Sequence, residues 1–116
     1  MSEVLSNIII EANLLPFADQ QLWEAIAKKN EEEALAAIRN GADVNKVHYI
    51  LSFESSVFEM SCYNQLERVA MQIIKSGLDL SYKSGRSGRT IKEIITSFVD
   101  NDAVKASLIA AIDSKT

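Results

Sequence analysis

The stretch Gly41-Ala42-Asp43-Val44-Asn45 constrains this chain most, because it ends an amphipathic helix and turns the backbone sharply. Just upstream, Ala34, Leu35, Ala37 and Ile38 recur at helical spacing. Gly41 then stands where a helix exits through left-handed backbone, a conformation that costs glycine nothing sterically. A weaker echo, Gly77-Leu78-Asp79-Leu80-Ser81, lies thirty-six residues downstream behind another apolar stripe. Two helix stops at such an interval predict repeated units, none of which buries its apolar face alone.

The chain in order fits that expectation. Residues 2–15 read as a helix capped by Ser2, with Val4, Leu5, Ile8, Ile9, Ala12 and Leu15 on one face and Pro16 as its stop. Asp19 is the expected N-cap of a helix over 20–29, and Asn30 makes the next turn. A helix over 31–40 opens with Glu31-Glu32-Glu33, acids at the positive end of its dipole, an arrangement that predicts a solvated first turn. Ser55 or Ser56 caps a helix over 57–63, and Asn64-Gln65 turns into a partner over 66–76 that Gly77 ends. After Gly85-Arg86-Ser87-Gly88-Arg89, Thr90 caps a helix over 91–99 with Ile91, Ile94, Ile95 and Phe98 apolar, and Asp100-Asn101-Asp102 leads into a last helix over 103–113. No segment alternates as a strand. The expected class is all-α: three helix pairs behind an N-terminal capping helix, in one domain over 1–116. Within it, 1–18 is the capping helix, 19–54 the first unit, 55–88 the second and 89–116 a C-terminal capping unit.

Composition narrows the function classes. With 47% apolar and 24% charged residues, 116 residues suffice for one folded core. A net charge of −4 argues against nucleic acid as a ligand and is compatible with a basic protein partner or with plain solubility. The single cysteine, Cys62, rules out an intrachain disulfide and a cysteine-based zinc site, and His48 is the sole histidine. Cys62 reads as a buried structural thiol, and His48 as a surface residue in a loop. The start, Met1-Ser2-Glu3, lacks a basic n-region, and no stretch reaches the length of about twenty apolar residues that a membrane helix needs. The expected setting is therefore cytoplasmic and away from membranes, a signal peptide removed from a precursor being the alternative.

The pattern resembles the ankyrin repeat, a unit of about 33 residues made of a turn and two helices. Gly41-Ala42-Asp43-Val44-Asn45 matches that family's G-A-D-V-N turn residue for residue. Leu22-Trp23-Glu24-Ala25 stands where the family has L-H-x-A, Ser56-Val57-Phe58-Glu59-Met60-Ser61 replaces T-P-L-H-x-A, and Gly88-Arg89-Thr90-Ile91-Lys92-Glu93 looks like G-x-T-P-L-H. The step from Ser56 to Thr90 is 34 residues. No unit has the proline or the histidine of T-P-L-H, so the repeats are degenerate; Trp23, Glu59 and Glu93 occupy the histidine's place.

The resemblance implies a non-enzymatic module that binds a dedicated protein partner, without cofactor or metal, through turn tips and a concave face built from the first helix of each pair. The residues so placed are Trp23, Glu24, His48, Tyr49, Ile50, Phe53, Glu59, Tyr63, Arg86 and Arg89. Fifteen residues separate Gly41 from Ser56, about three more than the family's usual distance. The extra length falls in Val47-His48-Tyr49-Ile50-Leu51-Ser52-Phe53, which is too apolar for an ordinary loop tip. It either folds back over the first helices or forms a binding patch. Trp23 reads as core or hot spot, and Gly85–Arg89 as a mobile basic turn or a contact site. Two other readings use the same surface: an inhibitor or immunity-type protein that covers the active site of a toxin or hydrolase, and a structural unit that self-associates. The first two readings expect a monomer when unbound.

Overall fold

Side-chain caps set four of the six helix starts in the computed structural model, which describes residues 16–50, 53–85 and 87–115, without the side chains of Ile50 and Phe53. The helix expected over 2–15 lies outside the described residues. Helix α1 is Phe17–Ala27, α2 Glu31–Arg39, α3 Val57–Tyr63, α4 Glu67–Lys75, α5 Ile91–Phe98 and α6 Asp102–Asp113. Asn30, Ser56, Thr90 and Asn101 cap α2, α3, α5 and α6 by accepting the N–H of the third helical residue on their side chains. Thr90 and Glu93 complete a reciprocal capping box.

One expected cap is different. Asp19 lies inside the first turn of α1, which starts two residues earlier behind Pro16. Its carboxylate instead accepts the Asp43 N–H at 2.8 Å and so fastens the first turn to α1. Pro16 serves as the N-cap because it needs no hydrogen bond for its own nitrogen.

The thirty-six-residue echo is structural as well as sequential. Lys29 and Gln65, at φ 59° and 60°, make matching left-handed turns inside the first two helix pairs. Gly41 and Gly77, at φ 93° and 107°, make the matching helix exits. In both turns the aspartate accepts the amide two residues on: Asn45 N–H to Asp43 at 2.9 Å, and Ser81 N–H to Asp79 at 3.0 Å. The units are then stitched together. The Asn64 amide donates to the Ile26 carbonyl at 2.8 Å, and the Gln65 amide to the Phe98 carbonyl at 2.7 Å.

The chain is mostly helical, and the described residues form two helical layers. Helices α1, α3 and α5 are successive neighbours in one layer, and α2, α4 and α6 in the other, each pair also packing on itself. The core lies between them, from Leu22, Trp23 and Ile26 through Phe58, Ile73 and Ile74 to Ile94, Ile95 and Leu108. Alanines 34 and 37 on α2 and alanine 70 on α4 let the layers approach closely. Each large aliphatic buried this way contributes about 1.5–3 kcal/mol. The exposed side of α6 carries Ala103, Ala106, Ser107 and Ala110.

The all-α expectation needs one correction. Strands β1, Val47–Ile50, and β2, Phe53–Ser56, form an antiparallel hairpin in the register Val47↔Ser56, His48↔Ser55, Tyr49↔Glu54 and Ile50↔Phe53. Its base is closed by the Val57 N–H donating to the Lys46 carbonyl at 3.0 Å. Four-residue strands with apolar residues on both faces leave no alternation to detect. The next turn makes a smaller version, with a single Lys83↔Thr90 bridge.

In the acidic first turn of α2, Glu32 and Glu33 are exposed as expected, while Glu31 is half-buried. Glu31 and Glu32 both pair with Arg68 of α4 at the surface, and Glu31 further accepts the Arg68 N–H at 3.1 Å. The hydrogen bond from the Arg68 guanidinium, with its charge, holds the Glu32 carboxyl below the usual range.

Candidate functional site

The hairpin and the α1–α3–α5 layer bring the named residues to two different depths. Tyr49 and Tyr63 are exposed, at 67% and 66%. Glu24 and Arg89 are half-buried. Trp23 is fully buried, and His48 is 1% exposed. The two rings stack with centroids 3.9 Å apart and planes 12° from parallel. The expectation that His48 is a surface residue is thus overturned: β1 points it inward onto α1, where its ring covers the tryptophan. Neither ring can be a contact residue while this packing holds, so both support the surface from beneath. Part of the apolar insertion has therefore folded back, while Tyr49, one residue on, points to solvent as strand alternation requires. Ile50 and Phe53 are placed in the strands by their backbone only, and Arg86 lies outside the described residues.

At the outer level, Tyr63 at the end of α3 meets Phe98 at the end of α5 edge-on, with centroids 5.8 Å apart and planes at 78°. The Arg89 guanidinium lies 5.1 Å from the centre of the Phe98 ring. Phe98, one of the apolar residues of α5, is half-exposed and joins the strip. An arginine held on an aromatic face beside an exposed tyrosine has the composition of an interaction hot spot.

At the inner level lies a polar cluster that sequence spacing did not assemble, because its members come from β2, α3 and the second turn. Glu59 is 9% exposed. One of its oxygens accepts from Ser84 Oγ at 2.9 Å; the other, Oε1, is buried with no hydrogen-bond donor among the described residues. The Tyr82 hydroxyl donates to Glu54 at a slack 3.5 Å. Burial first, then the charges of Glu59 and Glu54, push the Tyr82 phenol up to about 12. The Glu54 carboxylate occupies the space where a Cβ on Gly85 would project. Among the described residues, no lysine or arginine forms an ion pair with Glu54 or Glu59. Nothing local in the sequence marked Tyr82 or Ser84 as neighbours of Glu59.

Cys62, on the same helix as Glu59, is buried, and burial first, with the charge of Glu59, raises its thiol far above the ordinary value. Such a thiol is protonated and unreactive at neutral pH. Among the described residues, no group of three histidine, cysteine or carboxylate side chains is arranged to hold a metal, and no helix is long and apolar enough to cross a membrane. On the opposite layer, a groove of about 500 Å³ runs along α4 and α6 over Met71, Val104 and Leu108. Its polar members Arg68 and Gln72 are engaged with Glu31 and Glu32, and with Ser76.

No protein-family model matches the chain, and neither does any curated protein or solved structure compared with it.

Proposed function

We propose that this chain is a degenerate ankyrin-type repeat protein that acts without catalysis, as a module that binds another protein. The observation that carries the reading is the outer strip of Tyr63, Phe98 and Arg89, together with exposed Tyr49 on the hairpin. Aromatic residues and arginine are the types that dominate binding energy at protein interfaces. Solvent exposure of two tyrosines leaves apolar area for a partner to cover, roughly 25 cal/mol for each Å² removed from water. The thirty-six-residue repetition of turn geometry supports the repeat assignment, since stacked units commonly present such elongated binding surfaces.

The test is affinity capture from the native cell extract with the parent and with a Tyr49→Ala/Tyr63→Ala variant. A partner retained by the parent and lost by the variant, with circular dichroism and thermal midpoint unchanged, is the expected result. Equal retention by both proteins, or no retained protein, would overturn the reading.

A further inference from the structure

The inner cluster holds two carboxylates and a phenol, with no cation paired to them among the described residues. Glu59 Oε1 has no donor among the described residues, and an unsatisfied buried acceptor is costly to keep. Glu59 is the buried member, directed by its Ser84 bond toward the second turn, and Glu54 is the half-buried member, in contact with Tyr82. The 3.5 Å contact between Tyr82 and Glu54 is at the limit of a hydrogen bond, so the Glu54 carboxylate is weakly held. Directly across the hairpin from Glu54 stands Tyr49, on the same sheet face and 67% exposed. An aromatic ring beside two carboxylates suits a planar cation with several N–H donors better than a point charge.

We propose that the Glu54–Glu59–Tyr82 cluster, flanked by Tyr49, is a subsite for an arginine side chain of the partner protein. The guanidinium stacks on Tyr49, pairs with the Glu54 carboxylate and supplies the missing donor to Glu59 Oε1, with Glu54 swinging away from Tyr82 to admit it. This deepens the protein-binding reading and rests on it for the source of the arginine.

The experiment titrates the isotopically labelled protein with the blocked tripeptide acetyl-Gly-Arg-Gly-amide and follows amide resonances by NMR. Saturable shifts centred on Glu54, Glu59 and Ser84 are expected. The citrulline tripeptide, which keeps the shape without the charge, should bind about tenfold more weakly, as should the arginine peptide to Glu54→Gln or Glu59→Gln protein. Gly85→Ala keeps both carboxylates but puts a methyl where the Glu54 carboxylate lies, and it should weaken binding similarly. In the free protein, Glu59→Gln should raise the thermal midpoint, because it replaces a buried carboxylate that has no ion-pair partner among the described residues.

Absence of saturable shifts, equal binding of the citrulline peptide, or a lowered midpoint in Glu59→Gln would each overturn the proposal. So would tighter peptide binding by Arg86→Gln, which would mean that this chain's own guanidinium fills the site. The two readings fail separately. If a captured partner is lost by Tyr63→Ala but retained by Glu54→Gln and Glu59→Gln, the module stands and the arginine subsite falls. If the tripeptide titrates as described but no partner is captured, the subsite geometry stands and the protein-binding reading falls.

Discussion

The Asn45 carboxamide spans two turns: its Nδ2 donates to the Gly77 carbonyl at 3.1 Å, and its Oδ1 accepts the Asp79 N–H at 2.7 Å. Asp19 does the equivalent one step earlier by accepting the Asp43 N–H. The motif that marks the repeat in sequence is thus also the fastening between units. Asn45 is exposed, so water can replace it when it is removed. Asn45→Ala should therefore cost about 1 kcal/mol rather than the larger sum of two buried bonds. Asn45→Asp, which restores only the acceptor, should recover part of that. Urea denaturation at constant slope measures both.

Gly41→Ala and Gly77→Ala should each destabilise by about 1–2 kcal/mol, through backbone strain alone. A Cβ would meet no atom within 4 Å at either position, while φ is 93° and 107°. Compensating substitutions in neighbouring side chains should therefore fail to rescue either variant. A rescue, read from urea midpoints, would show that the cost is steric.

The Trp23 indole N–H is buried without an acceptor among the described residues. Trp23→Phe should consequently cost much less than Trp23→Ala, for which about 3–5 kcal/mol is expected, because phenylalanine removes the unsatisfied donor and keeps most of the volume. His48→Ala should cost about 0.5–1.5 kcal/mol for the lost stack, plus whatever hairpin packing goes with it. Because the histidine lies against the indole, it should also change Trp23 fluorescence in the folded state. An unchanged spectrum would mean that the stack does not form in solution.

Stability should fall at both extremes of pH, for separate reasons. Glu32, Asp79 and Glu93 have folded values lowered by hydrogen bonds from Arg68, from Ser81 and from Thr90 respectively. In acid the unfolded chain binds protons that the folded chain resists. Their contribution is thus present above the ordinary carboxylate range and lost as pH falls through the lowered values. Glu93→Ala should flatten that acid limb. Tyr82 acts oppositely. Its phenol stays protonated in the fold to about 12, while the unfolded chain ionises near its ordinary value of 10.0, so stability declines as pH rises past that value. Tyr82→Phe should remove this part of the alkaline slope in urea midpoints measured across pH.

Local chemistry was legible in the sequence wherever it acts within a turn of helix. Thr90, the Gly41 and Gly77 exits and the bounds of Val57–Tyr63 all follow from capping and spacing. Asp19 misled because a good capping residue can serve equally well as an acceptor for a distant amide. The hairpin was invisible because its pairing partner, and not its pattern, makes it a strand. In the candidate site, Tyr49, Tyr63 and Arg89 were accessible to sequence reasoning, since polar and aromatic residues on first helices and tips are natural contacts. Glu54, Tyr82 and Ser84 were not. Their meeting depends on how the second turn folds over α3, which no single unit encodes.

The layered packing has a mechanical consequence. Every substantial interhelical contact joins a pair to itself or to the next pair along, so α3 and α4 are the sole bridge between the two ends of the described structure. A disturbance at α1 can reach α6 only by loosening that middle pair. A partner seated across Tyr49 on the hairpin and Tyr63 on α3 would grip this bridge, and would slow fraying at both ends without touching either.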